Sequence, residues 1–143
     1  MRRIAIDLDY TATVVPDFAN DLITHFSNEY EIVILSSVSS EIGGWMENYQ
    51  YRVEQMGKLG ITGWDILVLA DGRGLEGLAQ SKKALCQQLG VDILFDDEPA
   101  FVEACREVCH VFQFHKMGAP NRRVYPSNEP GIKVNRDYAL DKG

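Results

Sequence analysis

Ile4-Ala5-Ile6-Asp7-Leu8-Asp9-Tyr10-Thr11 runs from a short apolar segment straight into two carboxylates one residue apart and then a hydroxyl. Two acidic side chains at a strand exit repel each other and lose solvation. The arrangement makes sense mainly where a cation or a reacting group compensates. The stretch therefore reads as the core of an active site carried on a strand end.

Working outward, three more apolar runs follow at intervals that a helix fills. Ile32-Val33-Ile34-Leu35 ends in Ser36-Ser37, Ile66-Leu67-Val68-Leu69 stands third, and Val91-Asp92-Ile93-Leu94-Phe95 ends in Asp96-Asp97. Between the first two, Pro16 and the spacing of Phe18, Leu22, Ile23 and Phe26 predict a helix over about 17–28. Trp45, Met46, Tyr49, Val53 and Met56 predict a second, with Ser40 as a candidate N-cap and a stop near Gly57 to Gly60. A third spans Leu75 to Leu89 with Gly90 as its C-cap. A fourth runs from Pro99 to about Cys109, before a fifth strand at Val111-Phe112-Gln113-Phe114. Strands separated by helices of this length imply right-handed βαβ crossovers. The expected fold is α/β: a three-layer, Rossmann-like arrangement with a central parallel sheet of about five strands. Its strand ends converge on one crevice.

The order of polar groups is Asp-x-Asp-x-Thr, then Ser, then Lys in Ser81-Lys82-Lys83, then Asp-Asp. On alternating strands and helices, that order resembles the haloacid dehalogenase superfamily of aspartate-nucleophile phosphatases. The four motifs reach from Asp7 to Asp97, spaced as in small members without a cap domain. The resemblance implies a magnesium-dependent phosphomonoester hydrolase. Asp7 would be the nucleophile that forms an aspartyl-phosphate, and Asp9 the general acid and base. Ser36 and Lys82 would bind the phosphate. Mg2+ would sit on Asp7, Asp96 and the backbone carbonyl of Asp9, with Asp97 as ligand or neighbour. Ser37 competes with Ser36, and Lys83 with Lys82; adjacent helical residues point about 100° apart, so one lysine faces the site. Thr11 is expected to brace the loop after Asp9.

With 143 residues the chain fits one domain, and 45% hydrophobic with 24% charged residues is a globular composition. A catalytic domain over 1–116 and an irregular C-terminal arm over 117–143 are expected. The arm holds Pro120, Pro126 and Pro130 without a hydrophobic period, and Lys116, Arg122, Arg123, Lys133 and Arg136 make this end of the chain locally basic. No apolar run approaches the roughly 20 residues of a membrane span, so a cytoplasmic protein is expected. The net charge of -7 argues against general affinity for nucleic acid, leaving it as a candidate substrate. Capless members of the superfamily act on large substrates or borrow a neighbouring subunit as a lid. A phosphorylated substrate and a homo-oligomer closing the site are accordingly the expected partners.

Other readings compete. Cys105, Cys109, His110 and His115 invite zinc, but the two cysteines are one helical turn apart and fit an inner helix face with Phe101 and Val108. Cys86, Cys105 and Cys109 lack disulfide-framework spacing and are expected to be free thiols. Trp45, Tyr49 and Trp64 fit the core or rim, with Trp45 placed to stack on a substrate. A response-regulator receiver is also small and α/β, yet its lysine follows its last strand, whereas Lys82 precedes Asp96-Asp97. A non-catalytic binding protein on the same fold, needing a partner for activity, is the remaining alternative.

Overall fold

The computed structural model describes residues 2–39 and 41–115. Strands β1 (Arg2–Asp7), β2 (Tyr30–Ser37), β3 (Ile66–Ala70), β4 (Val91–Asp96) and β5 (His110–Gln113) form one parallel sheet in the order β3-β2-β1-β4-β5. Helices α1 (Pro16–Phe26), α2 (Trp45–Leu59), α3 (Gly74–Leu89) and α4 (Pro99–Cys105) make the crossovers. The chain winds outward from β1 to β3, then returns across the sheet to β4. The strand order therefore reverses between β1 and β4, where an α/β sheet opens a crevice at its carboxyl end.

Alternation along the strands divides the core. Ile4, Ile6, Ile32 and Ile34 pack with Ala19 and Ile23 of α1 and Met56 of α2. Ala5, Val33, Leu35 and Leu94 face the other way, against Cys86 of α3 and Cys105 of α4. Both sides of β1 and β2 are thus buried, which is why these strands read as continuous apolar runs. Asp7 and Asp96 end β1 and β4 two residues beyond Ala5 and Leu94, placing them in register on the α3 and α4 side.

Element boundaries shift for local reasons. Pro16, without a backbone N–H, opens α1 itself, and the helix ends at Phe26, two residues short of the expected 28. The expected Ser40 cap lies outside the described residues; α2 begins at Trp45 with Gly44 in the capping position. Gly90 closes α3 in the left-handed conformation (φ 66°), as its position at the end of the apolar period implies. Helix α4 stops at Cys105, not Cys109, because the carbonyl of Cys105 accepts from the N–H of both Val108 and Cys109 in a turn. That turn starts β5 one residue early, at His110.

The apolar stripe expected on α2 is wrong in detail. Trp45 and Met46 are more than half exposed and Val53 lies at the surface, whereas the buried face reads Asn48, Arg52 and Met56. Trp45 instead stacks on half-buried Tyr49, with centroids 5.2 Å apart. Phe18 of α1 is likewise exposed and stacks at 6.0 Å on Phe114. Cys86 and Cys105 are buried free thiols, and Cys109, half-buried, donates to the Cys105 carbonyl. The proposed arm at 117–143 lies outside the described residues. Among the described residues no helix is long and apolar enough to cross a membrane.

Candidate active site

β1 leads into one wide turn, residues 8–12, closed by the Thr13 N–H donating to the Leu8 carbonyl at 3.0 Å. Within it Asp9 is extended and Tyr10 is left-handed (φ 60°, ψ 7°), which brings Thr11 back toward the strand end. The Thr11 hydroxyl lies 3.2 Å from both Asp7 Oδ2 and Asp97 Oδ1. The sheet brings in Asp96 beside Asp7, and the loop after β4 brings in Asp97. Asp7, Asp96 and Asp97 are all buried, with one oxygen of each within 4.8 Å of the others.

The cation for this cluster comes from α3. Its inward stripe is Ala79, Lys82 and Cys86, so a lysine occupies a position that helical period would give to an apolar residue. Lys82 is fully buried; its Nζ donates to Asp7 Oδ1 at 2.7 Å and to Asp96 Oδ2 at 3.0 Å, and lies 4.3 Å above the centre of the Phe101 ring. Lys83, one residue on, pairs with Glu107 at the surface. Burial outweighs the attraction of Lys82 and pushes the Asp7 carboxyl well above the ordinary range, with Asp96 and Asp97 adding to the rise. Burial likewise raises Asp96, against Lys82 and the Glu98 N–H. Burial alone would lower Lys82, but its two carboxylate partners more than reverse this and raise it. Among the described residues, Lys82 is thus shared by two buried carboxylates, with the third, Asp97, close by.

Ser36, near the end of β2 and one residue past Leu35, which pairs with Asp7, is completely buried, and its hydroxyl has no partner among the described residues. A buried orphan hydroxyl is costly unless a ligand group or water satisfies it. Ser37 differs: it is half-buried, and its carbonyl accepts from Arg52 Nη2 at 3.0 Å.

Asp9 does not join the cluster. Its carboxylate, 40% exposed, accepts from Arg52 Nη1 at 2.9 Å. Sequence reasoning missed Arg52, together with Asn48 one turn before it. Asn48 Oδ1 accepts from the Ser39 N–H at 2.8 Å, and its Nδ2 donates to the Gly44 carbonyl at 3.0 Å, pinning the loop that follows β2. Asn48, Arg52 and Met56 recur every four residues, a buried helical period hidden because two of its three members are polar.

Beside this ion pair an open cleft of about 550 Å3 is lined by residues of the wide turn, the loop after β2 and α2, among them Asp9, Tyr10, Tyr51 and Arg52. The candidate site thus has two parts, a buried carboxylate and lysine centre and a cleft, with Asp9, two residues after Asp7, lining the cleft.

No protein-family model and no curated protein matches the sequence. A chain in the solved structure of a Pnkp1/Rnl/Hen1 complex is similar in fold, with a TM-score of 0.57 and 20% identity. The match covers 80% of this chain and 46% of that one, so this chain spans less than half the length of the protein it matches. At this identity the likeness is one of fold.

Proposed function

We propose that the chain is a magnesium-dependent phosphomonoester hydrolase working through an aspartyl-phosphate on Asp7. The observation that carries this reading is the buried set of Asp7, Asp96 and Asp97 around Lys82, at the carboxyl ends of the two strands where the sheet order reverses. Three clustered carboxylates offer the hard oxygen donors that suit Mg2+. Asp7, Asp96 and Asp97, with the Asp9 carbonyl, would hold it. When bound, the metal neutralises phosphate charge so that an anionic nucleophile can approach.

The protein groups divide the remaining work. Asp7 attacks phosphorus as the bond to the leaving oxygen breaks, and Asp9 gives that oxygen its proton. Water then attacks the phosphoryl group, Asp9 takes the proton, and the Asp7–phosphorus bond breaks to release phosphate. Lys82 holds Asp7 and offsets charge on the transferring group, while the Ser36 hydroxyl donates to a phosphate oxygen. A bound phosphate would supply the partner that Ser36 lacks. The fold shared with a chain of the Pnkp1/Rnl/Hen1 complex is compatible with a nucleotide or nucleic acid end as substrate. A receiver module is disfavoured by the sheet, since that fold runs 2-1-3-4-5 and this one runs 3-2-1-4-5.

The direct experiment is phosphate release from an aryl phosphate and from nucleotides, with and without magnesium. Turnover that requires the metal is the expected result; none on any phosphate ester, with magnesium still bound, turns the reading toward a binding protein. The pH dependence has a defined sign. Because burial raises Asp7 and Asp96, the folded metal-free protein takes up protons before the unfolded chain does. Its stability from these groups is greatest at low pH and falls as pH rises through their raised values. Protons and metal compete for the same oxygens. The rise in melting temperature produced by Mg2+ should therefore shrink as pH falls from neutral toward the ordinary carboxylate range; a pH-independent rise would place the ion elsewhere.

Arg52→Ala should lower kcat by about 10- to 100-fold, the scale of mispositioned acid–base catalysis. It should leave the Mg2+-induced stabilisation in place, because Arg52 bonds to the Asp9 carboxylate, Gln55 and the Ser37 carbonyl and to none of the groups that would hold the ion. Loss of both together would mean that Arg52 only holds the fold.

A further inference from the structure

We propose that the cleft beside Asp9 receives the planar ring of the group esterified to the phosphate, with Tyr10 as its stacking platform, which makes a nucleoside monophosphate the fitting substrate class. The inference rests on the phosphatase reading. If Asp9 protonates the leaving oxygen, the leaving group must lie on Asp9's side of the centre, and Asp9 itself lines this cleft. The size, about 550 Å3, is that of small-molecule sites.

Tyr10 gives the cleft its character. Among the described residues it alone adopts a positive φ without being glycine. Glycine takes that conformation freely, whereas a bulky side chain is strained in it. Strain of this kind clusters at functional sites. The residue is 60% exposed, and its ring is outside the two core clusters that the described residues form. The strained backbone presents it at the cleft, between the two site residues Asp9 and Thr11. A second exposed ring, Tyr51, lines the same cleft, with the Arg52 guanidinium carbon 5.4 Å from its centre. Exposed rings with a flat cation are a platform for planar heteroaromatic groups.

Charge narrows the class. Among the described residues the only cation lining the cleft is Arg52, already paired with Asp9, and Glu41 adds a further carboxylate. A run of phosphates would meet repulsion there, while the uncharged base of a single nucleotide would not. Gln55 and Ser39 supply hydrogen-bonding groups for the edge of a base.

The test compares adenosine and thymidine monophosphates with glycerol phosphate, which has no ring, for the natural sequence and for Tyr10→Gly and Tyr10→Asn. Both substitutions suit the left-handed backbone and remove the ring. The ratio of kcat/KM for nucleotide over glycerol phosphate should fall about tenfold in both, the scale of losing one stacked base, with melting temperatures unchanged or higher. An unchanged ratio, or one that falls only with the melting temperature, overturns the proposal. If the natural sequence hydrolyses none of the esters, the phosphatase reading fails, and saturation-transfer NMR with unphosphorylated adenosine decides the subsite alone. A saturation-transfer signal from the adenine protons that disappears in Tyr10→Gly upholds it; no such signal with the natural sequence, or one that Tyr10→Gly keeps, ends it.

Discussion

Asp7→Asn is expected to lower phosphate release by about 1,000-fold or more and, in the same variant, to raise the melting temperature of the metal-free protein by a few degrees. The two effects have one cause. Asp7 is buried against Asp96 and Asp97, and the cost of burying its charge exceeds what Lys82 returns. Asparagine keeps an oxygen for the Lys82 ammonium, now 2.7 Å away, while removing the charge. It also removes the nucleophile, and a neutral amide cannot form the covalent intermediate. A 1,000-fold loss corresponds to about 4 kcal/mol of lost transition-state stabilisation. The check is steady-state phosphate release alongside thermal melts with and without Mg2+, whose stabilising effect should also diminish in the variant. Near-normal turnover would remove Asp7 from the chemistry; a sharp drop in melting temperature would refute the electrostatic account.

Lys82→Met should destabilise the fold by about 3–5 kcal/mol, the usual consequence of stripping the partner from buried charges. On a chain of this length that corresponds to a fall in melting temperature on the order of 10–20 °C. Methionine can follow the lysine's path beside Phe101, so packing is largely kept and the loss reports mainly charge. Asp7 and Asp96 would then face each other without the ammonium that both now accept from, and activity should vanish with the lysine. Two comparisons separate electrostatics from packing. The double variant Asp7→Asn with Lys82→Met should recover part of the lost stability, and Mg2+ should raise the melting temperature of Lys82→Met by more than it raises that of the natural sequence. A double variant whose losses simply add, with no larger response to Mg2+, would assign the damage to packing.

How far the sequence could be read depended on whether burial and polarity agreed. β1, β2 and β4 were legible because both faces are covered and their apolar runs end abruptly in Asp or Ser at the crevice. α3 was legible in extent, and motif order pointed to its lysine pair, with Lys82 preferred and Lys83 still competing, although an isolated lysine would be taken for a surface residue. Its environment was not legible, since no local pattern states that a helix will bury an ammonium between two strand ends. α2 misled because the aromatic and apolar residues at its start and middle compete with a quieter period at Asn48, Arg52 and Met56. The polar members of that period bond to the backbone of the loop after β2, to the Ser37 carbonyl and to Asp9, partners set by tertiary structure. Tyr10 was invisible for another reason: its left-handed backbone follows from the need to turn Thr11 toward Asp7, and the residue type at that position signals no turn.

The inward face of α2 is fastened more by hydrogen bonds than by oil. Of its three buried residues, Met56 alone is apolar, while Asn48 and Arg52 reach the loop after β2 and Asp9. Of the clustered carboxylates, Asp7 and Asp96 are seated on neighbouring strands at the middle of the sheet. The two halves of the proposed reaction therefore stand on foundations of different stiffness. Loosening one surface helix would disengage the proton-handling residue while the charge centre stayed assembled, making α2 a natural throttle on turnover that leaves the foundation of the site untouched.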